Sequence, residues 1–372
     1  MNLALITHNV MPGDGQSRVG YEIARHALRR GVKVWLLADH VVEDLKLMGA
    51  TWIPVRPRLR RLHLLKGWEF TRRANAALSR MVGALDIVQG FGFVVTQPHT
   101  VSNCQFVHRS WLRSPAHIIR QRHDLYGAYQ WLHSCLNALW ERAAYRQAHI
   151  VVASSGLIRQ QLIEIGVPQE RIRVIHNGVD TREFHPGTGD RGALGLPEDV
   201  PLALFVGDIR LNRKNLDTTL KALARVPCAH LAVVGSVERS PYPEMAACLG
   251  LAGRVHFLGF RRDIPQIMRA ADLFVFPSRY EACSLVLLEA SASGLPVLTA
   301  RTAGGAELIT SDCGIVLDDP NDAEGLASAL QRLLEDPRRR ADMGQAARAM
   351  AERHTWERTA EAHLQLYQEI AR

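Results

Sequence analysis

The sequence predicts an α/β protein made of two doubly wound halves, each a parallel sheet flanked by helices. Three observations predict it. Short apolar runs alternate with longer amphipathic segments, the pattern of βα units around a parallel sheet. The pattern stops at a stretch rich in Gly and Pro, "FHPGTGDRGALGLPEDVP" (184–201), and then restarts. The chain has 372 residues, and single cores rarely grow past roughly 250–300 residues, so two domains are expected.

In chain order, "LALIT" (3–7) reads as a first strand, followed by a loop and a helix over about 18–30, then "VKVWLLA" (32–38) as a second strand. "DIVQG" (86–90) and "HIVVAS" (149–154) read as later strands of the same sheet, with a helix-rich insert over about 117–146 between them. After the linker, "LALFVG", "HLAVVG", "VHFLG", "LFVFPS" and "LPVLTA" read as strands of a second sheet, each flanked by a helical segment. The boundaries expected are 1–186 for the first domain, 187–352 for the second, and 353–372 for a terminal amphipathic helix packing back on the first domain.

Composition places the chain among globular proteins: 47% hydrophobic and 22% charged. No apolar run reaches the roughly 18 residues needed to cross a bilayer. The start, "MNLALITHNV", lacks a basic segment before its apolar run and reads as a strand, not a signal peptide. The six cysteines are scattered without a CxxC pair or a Cys/His cluster, so reduced thiols, no structural zinc and a cytoplasmic location are expected. The formal charge of +8 is uneven: residues 1–187 hold 24 Lys+Arg against 13 Asp+Glu, and the rest hold 21 against 24. "RPRLRRLHLLKGWEFTRR" (Arg56 to Arg73) carries seven basic residues and one acid, interleaved with Leu, Trp and Phe. Such a mixture suits a surface meeting anionic lipid head groups or an acidic polymer; it also suits a solvated helix face.

The most informative stretch is "LFVFPSRYEACSLVLLEASASGLPVLTA". A strand ends near Pro277, a loop carries Glu281, a helix runs over about 284–293, and Gly294-Leu295-Pro296 turns into the next strand. Glu281 then lies at the carboxyl edge of the sheet beside a helix N-terminus. The backbone N–H groups of Cys283, Ser284 and Leu285 are expected to be unpaired there and open to an anion. Glu289, about two turns further, lies near the same face. Carboxylates accept hydrogen bonds from hydroxyls, so sugar hydroxyls at both ends and phosphates between them would fit: a nucleotide sugar.

In this stretch the sequence resembles the retaining glycosyltransferases of family four, which have the GT-B fold of two Rossmann-like domains facing across a cleft. Their E-x7-E motif falls on Glu281 and Glu289, in a context that Ser278, Ala290, Gly294 and Pro296 also match. The resemblance implies that Glu281 contacts the donor sugar and Glu289 the ribose, and that Ala282, Cys283, Ser284 and Leu285 bind the donor. Ala282 and Ser284 stand where the family usually has glycine, which leaves the sugar open.

Three further segments join it. "LFVGDIRLNRKNLD" (204–217) exposes basic groups after a strand end at Gly207; two cations beside a diphosphate stabilise the leaving nucleotide. Lys214 matches the family's lysine, Asp208 stands at its arginine, and Arg210, with Arg213, is the candidate substitute. A basic surface turn is the plain alternative. "MPGDGQSRVG" lets Gly13 and Gly15 bring backbone close to a phosphate ahead of a helix; its G-x-G-x4-G spacing fails the dinucleotide fingerprint, and the resemblance gives Gly15 to the donor diphosphate. "SNCQFVHRSW" sets His108 in a loop where family members often carry a histidine near the reacting sugar; a lone histidine among 16 is otherwise a surface or core residue, and Arg109 carries less weight. "RVIHNGVD" resembles the family's turn before the interdomain linker, and Ser154 ends the strand before it.

The expected function is sugar transfer from a UDP- or GDP-linked donor to a hydroxyl of a glycan or glycolipid in cell-surface polysaccharide or lipopolysaccharide biosynthesis. Glu281, His108, Lys214 and Arg210 are the expected catalytic residues, with no metal or cofactor, no nucleic acid, and an anionic membrane surface as a partner. An NAD-dependent oxidoreductase is disfavoured by the failed glycine spacing. A nucleic-acid binder, suggested by charge alone, lacks an aromatic stacking platform.

Overall fold

A computed structural model describes residues 1–372 except 14, 60–62, 82 and 372. The chain divides into two compact units, Met1–Asn177 together with Trp356–Arg372, and Gly178–Thr355.

The first unit is built on seven parallel strands: β1 (Asn2–Ile6), β2 (Lys33–Ala38), β3 (Thr51–Pro54), β4 (Ile87–Phe91), β5 (His99–Cys104), β6 (Ala148–Ala153) and β7 (Ile172–Val174). Their order is β3-β2-β1-β4-β5-β6-β7. Central strands covered on both faces read as unbroken apolar runs, and Leu3 to Ile6 and Leu36 to Ala38 are fully buried. β5 was hidden from the sequence reading because its buried Val101 and Cys104 are interleaved with buried polar residues, His99, Ser102 and Asn103. Ser102 pairs with Nε2 of His99 at 2.8 Å, and the Asn103 carboxamide accepts from Gln105 at 2.7 Å. The last helix, Trp356–Ile370, belongs to this unit and packs on the helix Gly15–Arg29. It is fixed by buried polar pairs: the Tyr367 hydroxyl donates to Oε1 of Gln89 at 2.6 Å, and Nε2 of His363 lies 3.4 Å from Nδ2 of Asn103.

The second unit has six parallel strands, β8 (Leu202–Val206), β9 (His230–Val234), β10 (Val255–Gly259), β11 (Leu273–Phe276), β12 (Val297–Ala300) and β13 (Gly314–Leu317). Their order is β10-β9-β8-β11-β12-β13. Phe205, Phe274 and Phe276 fill its centre, with the rings of Phe205 and Phe276 5.9 Å apart. The stretch from 187 to 201, read above as a linker, is part of this unit. The Arg191 guanidinium donates to the carbonyls of Glu198 (2.9 Å), Val200 (2.8 Å) and Ala270 (2.8 Å) and to the Asp272 carboxylate (3.0 Å). The division falls earlier, at Asn177/Gly178.

In both sheets the strand order reverses beside the first strand, between β1 and β4 and between β8 and β11. Doubly wound sheets bind ligands beyond the carboxyl ends of the strands flanking such a reversal. The loops to inspect therefore follow β1 and β4 in one unit and β8 and β11 in the other.

Candidate functional site

In the second unit, β11 leads through Pro277 and Ser278 to Glu281, and a helix then runs from Leu285 to Ala292. This helix is apolar almost all round because it is buried: Leu287, Leu288, Ala290 and Ala292 are inaccessible, and it packs on the helix Pro337–Ala351. Gly294, at φ 78°, ends it in a left-handed turn, with the Leu295 N–H closing onto the Ala290 carbonyl at 3.1 Å.

The loop that holds Glu281 is clamped from two sides. The segment after β12 pairs with it like a short strand: Glu281 N–H donates to Thr302 O (3.2 Å), Gly304 N–H to Glu281 O (2.7 Å), and Ser284 N–H to Gly304 O (2.9 Å). The last bond corrects an expectation, because the Ser284 amide is engaged within the chain and is not open to an anion. The Ser284 hydroxyl is buried without a hydrogen-bond partner. On the other side lies the segment after β8. Asn215, fully buried and left-handed at φ 67°, donates to the carbonyls of Pro277 (2.7 Å) and Pro320 (2.5 Å). The Arg279 guanidinium grips both Asp217 oxygens (2.8 and 2.6 Å) and the Asn212 carbonyl (2.9 Å).

These clamps set Lys214 against Glu281. The Lys214 ammonium donates to Oε2 of Glu281, and Nη1 of Arg213 lies 3.5 Å from the same oxygen. Burial pushes the ammonium well below the usual lysine range, the Arg213 cation acts in the same direction, and the Asp208 carboxylate opposes both. Arg213, not Arg210, is thus the second cation at Glu281. Arg210 is held by Asp208, with Nε to Oδ1 at 2.9 Å and Nη2 to Oδ2 at 2.8 Å. The aspartate at the expected arginine position therefore binds the residue put forward to replace that arginine.

Glu289 faces a different part of the same sheet edge. It lines a cavity of about 370 Å³ with Gly207, Asp208, Arg210, Gly235 and Phe260. Gly235 is obligatory: a Cβ there would lie 2.3 Å from the Gly207 carbonyl. Ala282 is buried, and Cys283 is partly accessible and, like the other five cysteines, outside any disulfide.

In the first unit, a cavity of about 300 Å³ opens at the strand-order reversal, lined by His8 after β1, Gln16 from the helix that Gly15 begins, and Gly92 and Phe93 after β4. His108 and His133 also face it, as does Lys66. Lys66 belongs to the basic stretch Arg56 to Arg73, which is not one solvated face. Arg73 is paired with Glu69 at 2.8 Å, Arg56, Arg58 and Arg72 are exposed, and Arg60 and Arg61 lie outside the described residues. His108 begins the helix His108–Arg113, whose first amides are held by the buried Glu141 carboxylate: His108 N–H at 2.8 Å and Arg109 N–H at 3.0 Å. Among Phe93, Phe106 and His133, its ring is desolvated and its pKa falls to about 3, with Nδ1 left unpartnered. Ser154 is fully buried and its hydroxyl has no partner.

Burial also lowers His8 to about 4 and His363 to about 3. Depressed histidines bind protons in the unfolded chain before the folded one, so their contribution is complete above about pH 6.5 and is lost as pH falls toward 4 and 3. Glu141, raised by burial to about 7, acts in the opposite sense. We expect stability to fall between pH 7 and pH 5 by at most on the order of 2 kcal/mol per histidine, offset in part by Glu141. Urea unfolding at the two pH values checks this, and equal or greater stability at pH 5 contradicts it.

Sequence reasoning missed Asn215, Arg279, Thr302, Gly304, Glu141 and His133. The pair Gly304-Gly305, shortly after an apolar strand that ends at Ala300, was a readable signal. Glu141 and His133 gave none, since only the tertiary fold brings their helix to the loop of His108.

Residues 13–183 match the profile described as Glycosyltransferase Family 4, and residues 188–350 that of Glycosyl transferases group 1. The lipopolysaccharide core biosynthesis glycosyltransferase LpsE of Rhizobium meliloti (strain 1021) is 32% identical over 198 residues, covering 52% of this chain and 56% of the relative. A D-inositol 3-phosphate glycosyltransferase of Xylanimonas cellulosilytica is 34% identical over 244 residues, 59% of this chain and 58% of the relative. The chain thus spans a little over half the length of these curated relatives. The crystal structure of WaaG, a glycosyltransferase involved in lipopolysaccharide biosynthesis, matches with TM-score 0.76 and 25% identity over 97% of this chain and 98% of that one. HepE of Anabaena, in complex with UDP and glucose, shares the fold at TM-score 0.70 and 22% identity, over 99% and 100% of the two chains. With its first half matching one glycosyltransferase profile, its second half the other, and nearly its full length the fold of WaaG, the chain belongs to the GT-B glycosyltransferases of the family-four-like group.

Proposed function

We propose that this protein transfers a sugar, with retention of anomeric configuration, from a UDP- or GDP-linked donor to a hydroxyl of a glycan or glycolipid in cell-surface polysaccharide or lipopolysaccharide biosynthesis. The observation that carries the reading is the division of labour between the two motif carboxylates. Glu281 is held beside Lys214 and Arg213, while Glu289 lines a separate cavity with Gly207. A donor would place its ribose hydroxyls on Glu289 and its diphosphate on Lys214 and Arg213. Phosphate oxygens then compete with Glu281 for the lysine, and the freed carboxylate accepts bonds from the sugar hydroxyls. Cations fixed before the reaction stabilise the charge that builds on the leaving diphosphate without reorganising. The leaving phosphate takes the acceptor proton as the hydroxyl attacks the same face of the anomeric carbon. Glu281 orients the sugar in this scheme, and neither a metal nor a cofactor is called for. Arg210, on the rim of the Glu289 cavity, and Gly15 are assigned to donor binding, and His108, neutral at physiological pH, to the reacting sugar.

Thermal-shift measurements with UDP, GDP, ADP, NAD and a DNA oligomer test the reading. Stabilisation by UDP or GDP is expected; stabilisation by NAD or DNA and by no nucleoside diphosphate would falsify it.

The positive first half, with Arg56, Arg58 and Arg72 exposed, supports a membrane-associated acceptor. Among the described residues no helix is long and apolar enough to cross a membrane, so the association proposed is peripheral and electrostatic. Flotation with anionic vesicles should recover the protein at low salt and lose it at high salt. Equal, salt-insensitive recovery with neutral vesicles removes this part of the reading.

A further inference from the structure

Taking the first unit as the one that holds the acceptor, we infer that it carries a second carbohydrate subsite, walled by Trp68, Phe93 and Trp140, and that the acceptor is an oligosaccharide of at least two rings. A cavity of about 380 Å³ lies next to the histidine-lined one, and Thr71 and Phe93 line both. Its aromatic walls come from three separate elements: Trp68 from the helix His63–Ser79, Trp140 from the helix Leu125–Gln147, and Phe93 from the loop after β4. The rings of Phe93 and His108 are 5.6 Å apart and those of Phe93 and Trp140 6.5 Å, so an aromatic path runs from one cavity into the next.

The chemistry fits a pyranose. A sugar ring has apolar C–H faces and a rim of hydroxyls. Indole and phenyl rings offer large apolar faces, and Thr71, Arg72 and Thr96 supply polar groups around them. The site is preformed, as small-molecule sites usually are. Asn75 ties its loop down, donating to the Val94 carbonyl at 3.0 Å and accepting from the Thr96 N–H at 3.0 Å. Trp68 is 49% exposed, with the Arg72 guanidinium 5.8 Å from its ring centre. An accessible indole face in a concave, polar-edged pocket, beside two further aromatic walls, is the kind of apolar patch that marks a ligand site. A flat membrane surface would not need the enclosed volume. An acceptor of a single ring would fill only the cavity of His8 and His108.

The full-length protein is applied to an immobilised array of mono-, di- and trisaccharides of hexoses and heptoses, with UDP or GDP present. Trp68→Ala and Trp140→Ala are run in parallel, each checked for an unchanged thermal shift with the same nucleotide. Retention of di- and trisaccharides above monosaccharides, lowered about tenfold in either variant, is expected. Equal retention of single rings and longer chains overturns the subsite. So does no retention by protein that still binds the nucleotide, or unchanged retention by both variants. Capture of wild type, but not Trp68→Ala, by phosphatidylglycerol vesicles without glycan retention assigns the surface to lipid and also overturns it. Loss of every nucleoside-diphosphate shift in wild type would instead count against the transferase reading.

Discussion

Lys214→Ala is expected to lower transfer by about 10²–10³-fold, because it removes a fixed cation from the place where charge builds on the leaving diphosphate. The same change leaves the part-buried Glu281 carboxylate with Arg213 as its remaining cation, at 3.5 Å. Removing one side of such a pair leaves the other charge less compensated, so the single variant will also melt earlier. The double variant Lys214→Ala/Glu281→Gln separates the two effects. Removing both charges should recover most of the lost stability while transfer stays low. Glu281→Gln alone breaks the pair from the other side, so it should still fold but melt earlier, and it should lose most of its turnover. Turnover near wild type in both single variants, measured with excess donor, excludes these residues from the reaction.

Gly304→Ala should be the most damaging single-methyl change in the second unit. A Cβ at this position would lie 1.8 Å from the Ala282 carbonyl oxygen and 2.5 Å from its carbon, both backbone atoms with no rotamer to relieve them. The two segments must part, which breaks the bonds from Gly304 N–H to Glu281 O and from Ser284 N–H to Gly304 O. A loss of about 3 kcal/mol or more is expected, with transfer lost in the molecules that remain folded, because Glu281 is no longer held. Ser284→Ala serves as the comparison. Its hydroxyl is buried without a partner, so removing it should leave stability unchanged or raise it. Denaturant unfolding of the two variants decides the matter; equal midpoints for Gly304→Ala and wild type would mean that this pairing does not hold the loop.

Much of the fold could be read directly. Unbroken apolar strands such as Leu3 to Ile6 and Leu202 to Phe205 announce a parallel sheet because both of their faces are covered. β5 escaped because Ser102 and Asn103 break up its buried apolar residues, Val101 and Cys104, and are satisfied by hydrogen bonds to His99 and Gln105. β3, β7 and β13 are three or four residues long, too short to show periodicity.

By itself the sequence determined the two-sheet architecture, the spacing of Glu281 and Glu289 on either side of a buried helical run, and the family, since all of these are local patterns of residue type. Only the tertiary structure decided which charges meet. Asp208 takes Arg210 two residues away, while Arg213 and Lys214 reach Glu281 across 68 and 67 positions. It also decided that Lys66 turns into the cavity with His8 and His108 although its basic neighbours Arg56, Arg58 and Arg72 face solvent. The physical reason is the same in each case. A side chain's charge is fixed by its chemistry, but its partner is fixed by whichever loops the parallel sheet carries to the same edge.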